Sequence, residues 1–274
     1  MKKLKISWIA VLFLLLFTAC GGDESVDSDE KTTIKVGTSP GPYSELFLDA
    51  IKPILEDKGF EIETIEFTEL LQADIALDEG SIDLNVDQHT AYYTNFNEEK
   101  GANLTKLTPI PTVPTGIFPG TKNSLEDIEA GDTIRIPKDP SNAARAYALL
   151  QKAGLITLDE NVELIKATKK DITENKYDIE IHEMDSAQIP RALDDLTFGV
   201  IPGSIVYASG LDASQSLLDE DILKELELVA VVDEKNKNTK WAQAVKAAYE
   251  SDEFKEYMKE HNKDNYWYIP EEIR

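Results

Sequence analysis

The sequence IRIPKDPSNAARA, at residues 134–146, predicts a strand, a turn and the start of a helix. The strand is the short β-type run that ends at Ile136. Asp139 is then a favourable N-cap, and Pro140 suits the first helical position. The helix is expected to end near Gly154, because glycine commonly follows a helix C-terminus. A strand followed at once by a helix is the repeating unit of α/β folds.

The start of this helix has the chemistry of an anion site. Its first backbone N–H groups have no partner within the helix. Asn142 and Arg145 are three residues apart and project from the same helix face, and a guanidinium can hold a carboxylate bidentately. The competing interpretation is a solvated arginine on an amphipathic helix, and this segment alone favours it. The rest of the chain decides between the two.

The composition excludes several classes of function. The 274 residues are 42% hydrophobic, which is enough for one large core or two medium ones. The chain has 52 Asp and Glu against 28 Lys and Arg, a formal net charge of -24. A surface this acidic repels nucleic acid and anionic lipid headgroups. We therefore expect no nucleic-acid partner.

The first 20 residues have the pattern of an export signal. A basic start precedes an apolar run, Ile6–Phe17, that is too short to span a bilayer. The sequence LFTAC at residues 16–20 resembles a bacterial lipobox, which predicts cleavage before Cys20 and lipidation of its thiol, with palmitate as an acyl group. The alternative is a plain signal peptide with a leftover thiol. We expect residues 1–19 to be a signal peptide and residues 20–32 a lipidated, flexible tether.

From residue 33 the pattern alternates between strands and helices. The predicted strands are 34–38, 61–67, 82–86, 104–110, 116–118, 133–136, 178–183, 198–201 and 227–232. The predicted helices are 44–59, 69–79, 90–100, 140 to about 154, 188–193, one capped by Ser124, and two near the C-terminus that include Trp241 and begin at Ser251. This alternation indicates parallel sheets with right-handed crossovers.

Four closely spaced prolines mark the place where the chain is expected to cross between two lobes: Pro109, Pro111, Pro114 and Pro119. The strand at 227–232 can return the chain to the first lobe. We therefore predict a first lobe of residues 33–112 and 230–274, and a second lobe of residues 113–229.

Two open α/β lobes joined in this way leave a cleft at the carboxyl ends of their strands, where ligands bind in such sheets. Four predicted turns fall there: 39–43, 85–89, 138–142 and 202–204. The helix at Pro140 therefore begins at a cleft, and this placement favours a binding role for Arg145.

No pattern of enzymatic chemistry stands out. The histidines, His89, His182 and His261, share no helix face, and Gly203-Ser204 lacks the second glycine of a nucleophile elbow. The sequence has no phosphate-cradling glycine loop and no dinucleotide fingerprint. Carboxylate pairs occur throughout so acidic a chain and identify nothing. We expect a protein that is not an enzyme and that uses no cofactor and no metal.

Five motifs in a fixed order carry a resemblance to a known family. They are Gly41-Pro42-Tyr43; Glu66-Phe67-Thr68; Asn85 with Gln88-His89; Ile136-Pro137 with Asp139, Asn142 and Arg145; and AQIPRALDD at residues 187–195. Behind a lipobox, this order resembles the methionine-binding lipoproteins of ABC importers, the MetQ/NlpA family. The resemblance covers nearly the whole chain after the tether.

The resemblance implies a two-lobed, periplasmic-binding-protein-like α/β fold of type II, with two hinge crossings and a ligand cleft between the lobes. It implies a monomeric lipoprotein, anchored by lipid on the extracytoplasmic face of a bacterial cell membrane. Such a protein captures a small amino-acid-type solute, methionine or a relative, and delivers it to an ABC permease with a cytoplasmic ATPase. By resemblance, Arg145 clamps the ligand carboxylate, and Asn142 and His89 add polar contacts.

The chain departs from the family pattern at four cleft positions. Leu70 and Asp87 stand where the family has aromatic residues, residues 202–204 read Pro-Gly-Ser where Asn-Gly-Asn is usual, and Lys138 replaces an asparagine. The alternative ligand within the class is a short peptide or another amino acid. Outside the class, the alternatives are an exported enzyme and a surface interaction lipoprotein.

Asp87 has the clearest chemical consequence, because a buried carboxylate needs a cation or several hydrogen-bond donors. It receives a ligand ammonium, pairs with Lys138 across the cleft, or points to water. For Tyr43 and Gln88, the sequence leaves open whether each contacts the ligand or supports its own turn. Of Tyr92 and Tyr93, we expect one to pack in the core and the other to reach the pocket. The predicted ligand-binding set is Arg145, Asn142, His89, Asp87, Ser204, Tyr43, Gln88 and Leu70.

Overall fold

Two five-stranded sheets and one two-stranded hairpin carry the strands of the described chain. The computed structural model describes residues 31–262 and 266–274, so the predicted signal peptide, Cys20 and the tether up to residue 30 lie outside it. The strands are β1 (Thr33–Thr38), β2 (Glu61–Glu66), β3 (Leu84–His89), β4 (Leu104–Pro109), β5 (Gly116–Pro119), β6 (Thr133–Pro137), β7 (Ile156–Leu158), β8 (Ile172–Asn175), β9 (Glu180–Met184), β10 (Phe198–Ile201), β11 (Leu218–Asp219) and β12 (Leu228–Asp233).

The helices lie between these strands and after the last of them. They are α1 (Pro42–Leu46), α2 (Lys52–Asp57), α3 (Leu70–Asp78), α4 (Thr90–Lys100), α5 (Pro140–Lys152), α6 (Ile189–Ala192), α7 (Gly203–Ser209), α8 (Lys240–Tyr249) and α9 (Asp252–His261). A π-helical turn, Phe47–Ile51, joins α1 to α2, and 3-10 turns cover Leu125–Asp127, Leu164–Lys166, Lys169–Asp171, Ser186–Gln188, Leu193–Asp195, Ala213–Gln215, Lys224–Leu226, Glu234–Asn236 and Glu271–Ile273.

Each large sheet is mixed rather than fully parallel. The first has the order β2-β1-β3-β12-β4, and the second has the order β11-β5-β10-β6-β9. The prediction of parallel pairing holds for β1 with β2 and β3, and for β6 with β9 and β10. It is wrong for β12 and for β5, which pair antiparallel with their neighbours. These strands enter their sheets from the other sheet, so no helical crossover sets their direction.

The chain passes between the two sheets twice. The first connection runs from the end of β4 at Pro109 to the start of β5 at Gly116, and the second runs from Asp219 to Leu228. The fold is therefore the predicted two-lobed α/β architecture with two crossings. The predicted boundary at 112/113 lies in the first connection, and the one at 229/230 lies within β12.

Each lobe has its own hydrophobic core. The first is built around β1 and β3 with the buried face of α8, where Trp241, Val245 and Ala248 recur at helical spacing. The second surrounds Ile134, Ile136 and the buried face of α5. The aromatic tail at 266–268 packs its first two residues on the first core, as the sequence predicts.

Several element boundaries differ from the prediction. The first helix begins at Pro42 and not at Ser44, since proline suits the first helical position, and the Ser44 hydroxyl donates to Asp87 instead of capping the helix. Ser124 caps only a 3-10 turn, and the predicted helix 188–193 is α6 with a 3-10 turn at each end. The β7–β8 hairpin was not predicted, since its strands are short and partly exposed.

Within residues 31–262 and 266–274, no helix combines the length and the apolar character needed to cross a membrane.

Candidate ligand-binding site

A cavity of about 420 Å³ opens where the carboxyl ends of strands from both sheets face each other. A volume of this order is typical of sites for small molecules. All four predicted cleft turns contribute to its wall, and so do all eight predicted site residues: Tyr43, Leu70, Asp87, Gln88, His89, Asn142, Arg145 and Ser204. The structure thus brings the eight together, while their roles as ligand contacts stay predictions.

Arg145 lies in the wall of this cavity on α5 and is only 4% exposed. Its Nε donates to both carboxylate oxygens of Glu220, at 2.8 and 2.7 Å, and its Nη2 donates to the same carboxylate. Burial opposes the charge of the guanidinium, but Glu220 outweighs burial and raises the pKa of Arg145. A guanidinium has five N–H groups, so three remain for other acceptors.

Glu220 is a buried partner of Arg145 that the sequence analysis did not identify. Its side chain is 5% exposed, and one carboxylate oxygen also accepts the backbone N–H of Thr115 at 2.7 Å. The backbone N–H of Glu220 donates to the Thr115 carbonyl at 3.0 Å. Glu220 therefore ties Arg145 to both connections between the lobes. It lies in the acidic run 219–221 of a very acidic chain, so no sequence signal distinguishes it.

The start of α5 is fixed by Asp139, which is its N-cap as predicted. Asp139 accepts the backbone N–H of Asn142 and its side-chain amide, each at 3.0 Å. The amide oxygen of Asn142 is thereby turned toward His89, whose Nε2 lies 3.4 Å away. This contact joins the end of β3 in the first sheet to the start of α5 in the second lobe.

His89 is neutral in this setting. Burial, with a further contribution from Arg145, lowers the pKa of its imidazole to about 3, although the contact with Asn142 opposes the shift. Its Nδ1 accepts the backbone N–H of Tyr92 at 3.2 Å, so the ring caps α4. The proton consequently resides on Nε2, which donates to Asn142.

Asp87 is the half-buried residue within β3, between buried neighbours on both sides, and its carboxylate contacts α1. It accepts the Ser44 hydroxyl at 2.8 Å. Burial raises the pKa of Asp87 to about 6, and hydrogen bonds from Ser44 and Ser39 oppose the rise. Of the alternatives for Asp87, pairing with Lys138 is not found: Lys138 Nζ lies 3.0 Å from Asp185, which directly follows β9, the strand that pairs with β6.

Two of the predicted residues are held by the protein itself. The Tyr43 hydroxyl accepts the backbone N–H of Val113 at 3.1 Å and donates to its carbonyl at 3.4 Å, so Tyr43 fastens the first connection to the first lobe. Gln88 is 1% exposed and donates to Asp74 at 2.6 Å. These contacts favour the supporting roles that the sequence analysis left open for both.

The remaining predicted residues, Ser204 and Leu70, also line the cavity. Ser204 lies in the first turn of α7, and Leu70 begins α3 beside Leu71, which is 40% exposed. Tyr92 lines the cavity while Tyr93 packs on a core cluster, as the sequence predicts for the pair. Among the described residues, no group of three or more His, Cys, Asp or Glu is placed to hold a metal ion.

Two α/β lobes joined by two connections, with a cavity of ligand size between them, are the architecture of the periplasmic-binding-protein class of fold. The family model described as NlpA lipoprotein matches residues 34–270. The chain belongs to the NlpA lipoprotein family.

Known relatives agree with this assignment. The D-methionine-binding lipoprotein MetQ of Escherichia coli K12 is 30% identical over 247 residues, which are 89% of each chain. A lipoprotein structure from Ruminococcus gnavus is 37% identical, has a TM-score of 0.82, and aligns over 88% of this chain and 100% of that one. The structure of a nutrient binding protein from Burkholderia cenocepacia, bound to methionine, is 32% identical with a TM-score of 0.80, over 86% and 99% of the two chains.

Proposed function

We propose that the protein is an extracytoplasmic, substrate-binding lipoprotein of an ABC importer that captures one small amino-acid-type solute in the interlobe cavity. The observation that carries this proposal is the position of Arg145. Its buried guanidinium lines a cavity between two lobes and keeps three N–H groups beyond those that Glu220 uses. The methionine-bound relative and the MetQ relatives support a solute of this class.

The arrangement of polar groups suits a zwitterion. Arg145 and Asn142 present donors in the second lobe, and Asp87 presents an acceptor in the first. A solute whose carboxylate meets Arg145 and whose ammonium meets Asp87 touches both lobes at once. Such a ligand stabilises the closed arrangement, because it interacts with both lobes only when they approach. Lipidation at Cys20, a permease with its ATPase, and a monomeric state belong to the same proposal.

The direct test has two parts. Mass spectrometry of the solute that stays bound through purification without denaturant identifies the natural ligand. Calorimetry with L-methionine, D-methionine, other amino acids and dipeptides then measures affinity without turnover. A protein that consumes a ligand chemically, or that binds none of these, contradicts the proposal.

Arg145→Lys tests the residue on which the proposal rests. Lysine keeps a positive charge for Glu220 but loses the planar fork that holds a carboxylate. We expect at least tenfold weaker binding of the solute with the fold retained. Arg191→Lys is the matched control, since Arg191 is exposed and lies outside the cavity wall. Equal affinity in both variants contradicts the role given to Arg145.

A further inference from the structure

The charges around the cavity do not balance. Two cations line it, Lys138 and Arg145, together with four carboxylates: Glu69, Asp87, Asp139 and Asp185. Glu220, behind Arg145, is a fifth carboxylate. The cavity and its immediate support therefore hold three more negative than positive charges, since His89 is neutral.

Both cations are already compensated by the protein. Glu220 takes the Nε edge of Arg145 in a buried pair, and Asp185 takes Lys138 at the rim. A ligand carboxylate thus gains hydrogen bonds from the remaining N–H groups of Arg145 but meets no uncompensated positive charge. A neutral zwitterion leaves the surplus of negative charge unchanged.

Unlike the two cations, two of the carboxylates at the cavity have no ion pair with an oppositely charged side chain of the described chain. Asp87 is partly buried and accepts from serine groups, with no ion pair to it within the described residues. Glu69 is exposed at the rim and also has no ion pair in the described part of the chain. The negative field reaches Tyr92 in the cavity wall: burial raises the pKa of this phenol, and Asp139 and Glu69 raise it further.

We propose that the natural solute carries a net positive charge, as an amino acid with a basic side chain or a short peptide that contains one. The inference rests on the proposed function, because it concerns the same site. The α-carboxylate meets Arg145, the α-ammonium meets Asp87, and the second cation lies at the rim near Glu69. Leu70 and Leu71 line the cavity beside Glu69 and offer apolar surface to the methylene stem of a basic side chain.

The test compares solutes that differ only in the side-chain charge. L-lysine and L-norleucine share the same carbon skeleton, and glycyl-lysine and glycyl-norleucine repeat the comparison for a dipeptide. The full chain without its signal peptide is first freed of bound solute and then titrated calorimetrically at low and at physiological salt. We expect the lysine member of at least one pair to bind at least tenfold tighter than its norleucine partner, with the ratio shrinking as salt screens the charges.

Substitutions test whether Glu69, at the rim of the cavity, causes the preference for the lysine member of each pair. Glu69→Gln should lower the affinity for the lysine member more than that for the norleucine member, so the ratio falls at least threefold. Asp87→Asn should weaken both members similarly, because both carry the α-ammonium. Asp194→Asn is the matched control, since it removes an exposed carboxylate outside the cavity wall, and it should leave the ratio unchanged.

The outcomes separate this inference from the proposed function. If norleucine or L-methionine binds as tightly as lysine or more tightly, the net-charge inference is wrong and the solute-binding function stands. If no amino acid or dipeptide of either series binds, the proposed function fails together with the inference.

Discussion

Glu220→Gln is the substitution whose effect follows most directly from the structure. The change keeps the shape of the side chain but removes the carboxylate that balances Arg145. Both side chains are about 5% exposed, so the variant leaves a buried guanidinium without its counter-ion. Removing one partner of a buried pair costs about 3 to 5 kcal/mol. The glutamine oxygen can still accept one hydrogen bond, so we expect the lower value, about 3 kcal/mol.

This magnitude predicts a measurable fall in melting temperature. For a domain of this size, 1 kcal/mol corresponds to about 2 °C, so ligand-free Glu220→Gln should melt about 6 °C below the parent chain. A solute carboxylate then becomes the main counter-ion of Arg145. The solute should therefore raise the melting temperature of the variant more than that of the parent, in differential scanning calorimetry at the same solute concentration.

Asp221→Asn is the matched control for Glu220→Gln. It removes the neighbouring carboxylate, which pairs with Lys152 at 2.7 Å but is 82% exposed. Exposed pairs contribute about 1 kcal/mol or less, so this variant should melt within about 2 °C of the parent. If the two variants melt at the same temperature, or if the solute stabilises Glu220→Gln no more than the parent, Arg145 is not held by Glu220 in the way described.

Two further substitutions test the supporting residues of the cleft. Asp74 is fully buried, and burial raises its pKa to about 7, although Gln88 donates to it. Because the folded pKa lies above the unfolded one, ionisation of Asp74 destabilises the fold, and the free energy of unfolding falls between about pH 4 and pH 7 by up to about 4 kcal/mol. Asp74→Asn should remove this dependence, so the variant should gain more in melting temperature over the parent at pH 8 than at pH 5. A variant with the same pH profile as the parent contradicts the prediction. Tyr43→Phe removes the two hydrogen bonds to Val113 and should cost about 1 to 2 kcal/mol in urea unfolding, while solute affinity falls less than threefold; a tenfold loss would instead make Tyr43 a ligand contact.

The sequence predicted the local structure best where a single residue type decides it. Asp139 as N-cap and Pro140 at N1 are both found, because capping depends only on neighbours along the chain. The helix at 90–100 also has its predicted bounds, since Gly101 ends it in the left-handed conformation. The direction of β12 could not be predicted, because it depends on which sheet the chain enters after crossing between lobes.

The partners of the site residues were the part that sequence reasoning could not reach. A family motif identified Arg145, but its closest charged neighbour is 75 positions further along the chain. The alternative that paired Asp87 with Lys138 failed for the same reason: Lys138 has a carboxylate just after the adjacent strand β9, at Asp185, and an ion pair forms with the nearest available partner. In a chain with 52 acidic residues, only the fold decides which of them that partner is.

The contacts of Tyr43 and Glu220 show why the cleft and the connections act as one unit. Tyr43 holds Val113 from the first lobe, while Glu220 holds Thr115 and orients Arg145. The segment between β4 and β5 is thus fastened at two points, two residues apart, by side chains that also belong to the cavity or support it. A rotation of the lobes about this segment must move Tyr43 relative to Arg145. A solute that binds Arg145 and the first lobe at once consequently fixes the angle between the lobes, and Arg145 cannot be reoriented without disturbing the connection.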